Sequence, residues 1–138
     1  SPMHSLARQQ GISPMVLNQL ELITREAGSG TRAIMERFLS ERGLSPHISM
    51  AMSSNESIKQ AVIANLGISF VSLHTVGLEV KYGEIVVLDI DETPISRAWH
   101  VVALNRRHQS SAAEAFRYFV LEHGAALLDA LHPNLIKK

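Results

Sequence analysis

The chain has 138 residues, 46% hydrophobic and 19% charged, with Lys plus Arg and Asp plus Glu balanced at 13 each. That length can bury a substantial core in one domain, and the balanced charge argues against a nucleic-acid surface resting on a basic surplus. With no cysteine, disulfides, thiol nucleophiles and cysteine-based zinc sites are excluded, and no run approaches the ~20 apolar residues of a membrane span.

The opening stretch, S-P-M-H-S-L-A-R-Q-Q-G, lacks a signal-peptide pattern and reads as a start or linker segment over residues 1–11. Residues 20–24 are apolar enough for a short strand leading into Gly28-Ser29-Gly30. From Thr31 onward, Ile34, Met35, Phe38 and Leu39 follow helical spacing, Gly43 sits where a C-cap glycine would, and Pro46 forbids continuation. His47–Met52 alternates as a strand does. Ser53 and Glu56 have the spacing of a capping box, ahead of a helix with Ile58, Ala61, Val62 and Leu66 on its apolar face and Gly67 at its close.

Residues 68–71 predict another short strand, and residues 77–90 predict two strands around a turn at Tyr82 and Gly83. Residues 99–104, W-H-V-V-A-L, predict a further strand with Trp99 as a packing anchor and His100 partly buried, followed by a basic turn at 105–108. Ser111 with Glu114 forms a second capping-box pattern, opening a helix that carries Ala112, Phe116, Phe119, Val120 and His123 on one side. The tail from Leu131 is expected to fray.

Strands alternating with helices predict an α/β domain with a largely parallel sheet, in which ligands gather beyond the carboxyl ends of the strands. Two predicted strand-to-helix junctions carry hydroxyls there: Ser29, Gly30 and Thr31 at one, and Ser53, Ser54 and Asn55 at the other. The first belongs to the run R-E-A-G-S-G-T-R, which no familiar enzyme motif fits. A nucleophile elbow needs glycines two before and two after the serine, where Ala27 and Thr31 stand. A phosphate loop needs a lysine after its second glycine, and a dinucleotide fingerprint needs a glycine at position 33, which is Ala33. What remains is a helix start whose amides suit a carboxylate, phosphate or sulfate, or whose hydroxyls merely cap the helix. Arg32 can complement such an anion or pair with Glu36 one turn on. His74, in a loop after a strand, can reach a ligand or solvent. No two of the seven histidines lie four apart, so neither a metal site nor a cofactor is expected.

The run R-E-A-G-S-G-T-R followed by I-M-E-R-F-L, and then S-S-N-E-S-I-K-Q-A-V-I-A-N-L-G-I-S-F-V-S, resembles the effector-binding domain of LysR-type transcriptional regulators. The stretches S-L-H-T-V-G-L-E-V, G-E-I-V-V-L-D-I and P-I-S-R-A-W-H-V-V are similar to the branch that regulates RuBisCO and the Calvin-cycle operon. The resemblance implies a periplasmic-binding-protein-like (type 2) α/β fold, with the second regulatory subdomain over 12–98. It implies a returning crossover strand and first-subdomain helix over 99–128, and a tail over 129–138. It further implies a cytoplasmic, non-catalytic sensor that binds a small anionic metabolite, of sugar phosphate, phosphoenolpyruvate or NADPH type, between two subdomains.

The effector residues expected on that basis are Ser29, Gly30, Thr31, Arg32, Ser53, Ser54, Asn55 and His74. The family's winged helix-turn-helix and most of its first subdomain have no counterpart in this sequence. DNA contact is therefore expected only through a domain outside it, and residues 99–128 are expected to lack their usual partners. A homo-oligomer is expected, a dimer for this chain and a tetramer for a full-length regulator. A transporter's solute-binding component, which shares the fold, is the alternative. An enzyme is a distant third.

Overall fold

The computed structural model describes residues 1–104 and 109–131, except for the side chains at 129 and 131. The basic turn expected at 105–108 and the tail beyond 131 lie outside the described residues. The chain divides into two compact units, Ser1–Thr93 and Pro94–Lys138.

The first unit is built on a three-stranded parallel sheet of β1 (Glu21–Arg25), β2 (His47–Met52) and β3 (Ile68–Ser69), in the order β2-β1-β3. Two helices connect the strands, α1 (Gly30–Glu41) between β1 and β2, and α2 (Asn55–Ile63) between β2 and β3. Successive side chains of β1 point to opposite faces, as a strand's period of two requires. Leu22 meets Met35, Phe38 and Leu39 of α1 in the larger core, which Leu17, Leu44 and Ile90 also enter. Ile23 meets Ile58 and Ala61 of α2 in a smaller core on the other face. Leu6 is also buried in the larger core, so residues near the start of the chain pack onto this unit.

Three helix ends share one device. After α1, Gly43 at φ +64 turns the chain so that the Leu44 amide donates to Leu39 and the Gly43 amide to Ser40. After α2 the same two-bond closure uses Asn65 at φ +59, with Leu66 donating to Ala61 and Asn65 to Val62. Gly67 therefore does not close that helix, and Leu66 is exposed rather than part of its apolar face. The glycine is needed because a Cβ there would stand 2.6 Å from the Glu21 carbonyl oxygen, where β1 passes.

The two strands expected over 77–90 are not formed. Gly77–Lys81 is a short helix, α3, ended by Gly83 at φ +74 with Glu84 donating to Glu79. Beyond it the chain is irregular, meeting Ile12 in a single parallel bridge at Ile90. The strand expected over 68–71 is shorter, Ile68–Ser69.

In the second unit, residues 99–104 form no strand, because an extended segment becomes one only by pairing its backbone, and it has no paired neighbour among the described residues. Trp99 is 69% exposed, with the Arg97 guanidinium 5.3 Å from its ring centre, and His100 is exposed too. Neither anchors a core. Helix α4 (Ser111–Leu131) begins close to expectation, but Ser110 supplies the capping oxygen, accepting from the Ala113 amide at 3.3 Å, not Ser111. Phe116 and Phe119 on its apolar side are exposed.

Candidate functional site

All three strands are parallel, so the segments that follow them leave the sheet at one edge. Central β1 leads to residues 26–29 and α1, β2 leads to Ser53 and α2, and β3 leads towards His74. From β1 the chain moves to β2 on one side, then returns across β1 to β3 on the other. Such a reversal of strand order opens a crevice at the carboxyl ends, the usual ligand position in open α/β sheets. Ser29 to Arg32, Ser53 to Asn55 and His74 therefore all occur on segments leaving this edge.

At the start of α1, Ser29 is the N-cap residue but its hydroxyl makes no capping bond. Gly30, Thr31 and Arg32 occupy the first turn, where a helix offers its own amides no acceptor. Free amides and the helix dipole together favour an anion. The Arg32 guanidinium turns away from that role: its Nε donates to Glu36 Oε1 at 2.7 Å, and Nη1 reaches back to the Arg25 carbonyl at 3.3 Å. Of its two expected uses, pairing with Glu36 is the one formed.

At the start of α2 the cap is Ser54, one residue later than the capping-box pattern places it. Its Oγ accepts from the amides of Glu56 at 3.2 Å and Ser57 at 3.5 Å. Ser53 is exposed, and Glu56 binds Lys59 and Gln60 instead of turning back to the cap. The expected box is therefore absent, and a simple serine cap replaces it. Asn55 Oδ1 accepts from Arg25 Nη1 at 2.8 Å, joining the end of β1 to the start of α2. The Glu26 amide donates to the Met52 carbonyl at 3.1 Å, which keeps the two junctions side by side. The His74 ring is half-buried within the turn Leu73–Thr75.

Charge around the edge is compensated locally. The Arg25 guanidinium bonds Glu26 through Nε and Nη2 at 2.7 and 2.9 Å, and this holds the Glu26 carboxyl below its ordinary range. Lys59, bonded to Glu56 and Glu79 at 2.7 Å each, draws both carboxyls down and fastens α2 to α3. Sequence reasoning left Arg25 without a role, although a charged residue ending a central parallel strand is itself a signal.

At the other end of α1 lies a shallow cavity of about 420 Å³, lined by Met35, Leu39, Leu44, Pro46 and Ile48 with Glu36 at its rim. It has no basic lining residue, and the Glu36 carboxylate there disfavours an anion. Among the described residues, no group of three or more His, Asp or Glu side chains could hold a metal ion, and no helix is long and apolar enough to cross a membrane.

Comparison with known proteins identifies the family of the chain. Residues 1–125 match the family model described as the LysR substrate binding domain. The chain is 43% identical over 136 residues to the HTH-type transcriptional regulator CfxR of Cupriavidus necator, covering 99% of this chain and 43% of that protein. It is 45% identical over 126 residues to a RuBisCO operon transcriptional regulator of Allochromatium vinosum, covering 91% of this chain and 42% of that one. The chain thus spans less than half the length of these relatives. Among solved structures, the regulatory domain of CcmR from Synechocystis in complex with 2-PG superposes with a TM-score of 0.78 at 34% identity, covering 97% of this chain and 61% of that one.

Proposed function

The chain belongs to the LysR substrate-binding domain family, and from that premise we propose that it senses a small anionic metabolite for a LysR-type regulator of carbon-fixation genes. The observation that carries this reading is the start of α1, where first-turn amides face the carboxyl edge and Ser29 does not cap them. A hydrogen bond from an amide to a charged oxygen contributes about 1.5–3 kcal/mol, so two or three such donors make a useful seat. The CcmR domain, similar over most of this chain, is described with 2-PG bound, and 2-phosphoglycolate carries both phosphate and carboxylate.

The seat comprises Ser29, Gly30 and Thr31, with Ser53, Ser54, Asn55 and His74 on the neighbouring segments and Arg32 outside it, paired to Glu36. Residues 12–98 act as the second regulatory subdomain, and 99–128 as the segment and helix that return to the first. In the full-length regulator, held to be cytoplasmic and tetrameric, the metabolite changes DNA contact through a separate DNA-binding domain. It does so by binding one arrangement of the subdomains more tightly than another. The chain itself performs no catalysis. The transporter reading is not favoured, because the relatives named above are transcriptional regulators.

A thermal-shift titration tests the reading, using 2-phosphoglycolate, ribulose-1,5-bisphosphate, phosphoenolpyruvate and NADPH, with citrate and sulfate as controls. Stabilisation should rise with at least one metabolite and shrink in a Ser29→Ala, Thr31→Ala double variant. Equal stabilisation of both proteins would remove the two hydroxyls from the site, and no stabilisation of the wild type by any of the metabolites would overturn the reading.

A further inference from the structure

Arg25 opens the R-E-A-G-S-G-T-R run, and no role described so far uses it. It ends the central strand, and its side chain is only 19% exposed. Its Nε and Nη2 grip both oxygens of Glu26, and the remaining arm, Nη1, donates to Asn55 Oδ1 at 2.8 Å. A guanidinium has five N–H donors and no acceptor. The atom of Asn55 that faces it must therefore be the oxygen, and an amide otherwise free to turn over is held one way round. The NH2 arm then projects from the other side of the amide carbon, at the first residue of α2.

We propose that Arg25 is a positioning residue that makes Asn55 an obligate hydrogen-bond donor at the carboxyl edge, selecting a ligand with phosphate or carboxylate oxygens. The inference rests on the reading of that edge as an effector seat. Arg25 itself adds little to the attraction of an anion, since Glu26 matches its charge at contact distance. Its effect passes through Asn55. An unheld amide can present its oxygen instead and accept from a cation; a held one presents only N–H, which a charged oxygen accepts more strongly than a neutral hydroxyl does. The same bond links the end of β1 to the start of α2, so the donor is also fixed in place relative to the amides of α1.

Isothermal titration of the chain with 2-phosphoglycolate tests this, using Asn55→Asp and Arg25→Met variants. Asn55→Asp keeps an oxygen for Arg25 and replaces the donor with a second oxygen, so its Tm should hold or rise while Kd weakens by about tenfold or more. Arg25→Met removes the hold on the amide and should weaken Kd by about three- to tenfold, with the Asn55 side-chain NH2 resonances no longer shifting fully on titration. Asn55→Ala, which cannot repel an anion, serves if the aspartate variant misfolds, and it too should lose affinity. Unchanged Kd in a folded Asn55 variant, with the wild type binding, would overturn the role of Asn55 and leave the effector seat standing. No binding by the wild type to 2-phosphoglycolate, or to the other metabolites titrated above, would overturn the seat and the selection together.

Discussion

At the start of α2 the Ser54 hydroxyl accepts from two amides, whereas at the start of α1 the Ser29 hydroxyl accepts from none. Both serines are N-cap residues with extended backbone, ψ 131 and 130, but φ is −121 at Ser54 and −67 at Ser29. Backbone rotation does not by itself decide the difference, since Ser13, at φ −61 and ψ 135, caps the helical turn after it with its hydroxyl; what differs at Ser29 is where the side chain is turned. The α2 start is further occupied by Arg25 through Asn55, while the α1 start is flanked by glycines that offer no side chain. One junction is finished by its own residues, and the other is left for something else to finish.

The comparison can be broken most forcefully from beneath. Each helix rests on a buried side chain, Met35 for α1 and Ile58 for α2. Met35→Ala and Ile58→Ala should each cost about 2–5 kcal/mol in urea denaturation. A loss under 1 kcal/mol at either would mean that its helix start is not anchored by the core. Next in size, Ser54→Ala should cost about 1 kcal/mol as a lost cap, while Ser29→Ala should stay within about 0.5 kcal/mol. Equal losses would erase the contrast.

The α2 side also carries an acid-sensitive fastening. Glu56 and Glu79 sit below their ordinary value of 4.5 because each bonds Lys59. A lowered carboxylate pKa adds stability that is complete above 4.5 and is lost as pH falls through the folded value. Lys59, raised above 10.5, adds stability that is lost only as pH rises past that range. Thermal melts between pH 7 and 3 should fall less steeply for Lys59→Met than for the wild type. Parallel curves would show that the triad contributes nothing. The smallest effect is expected at Arg32. Its pairing with Glu36 contributes about 0.2–0.5 kcal/mol and its long bond to the Arg25 carbonyl little more, so Arg32→Ala should lower stability by less than about 1 kcal/mol, as read by denaturant midpoint.

Much of the sheet-and-helix frame was legible. The apolar set of α1 and its C-terminal glycine are local signals, and they agree with the packing; β2 forms where expected, but its alternation is broken, because its pairing with β1 slips between Leu22 and Ile23 and leaves Ile48 exposed while Met50 and Met52 pack towards α2. The two serines at 53 and 54 were not separable, because the true cap depends on where β2 stops. That is fixed by β1: Arg25 pairs with Met52, and Glu26 takes the Met52 carbonyl. Residues 77–90 misled because Leu78, Val80 and Tyr82 alternate with charged side chains over too short a span to separate a five-residue helix from a strand. The Tyr82-Gly83 pair reads as a hairpin turn but ends that helix. Residues 99–104 have strand composition without a strand to pair with. At the site, the hydroxyl-bearing junctions could be read from spacing. The bond from Arg25 to Asn55 spans thirty positions, and only the fold brings the two together.

The most direct test follows backbone amide resonances while 2-phosphoglycolate is titrated into the chain. The account predicts saturable shifts at Gly30, Thr31 and Arg32, smaller ones at Ser54 and Asn55, and none around Leu44, Pro46 and Ile48 at the far end of α1. Shifts concentrated at that far cavity, with the α1 amides unmoved, would contradict it.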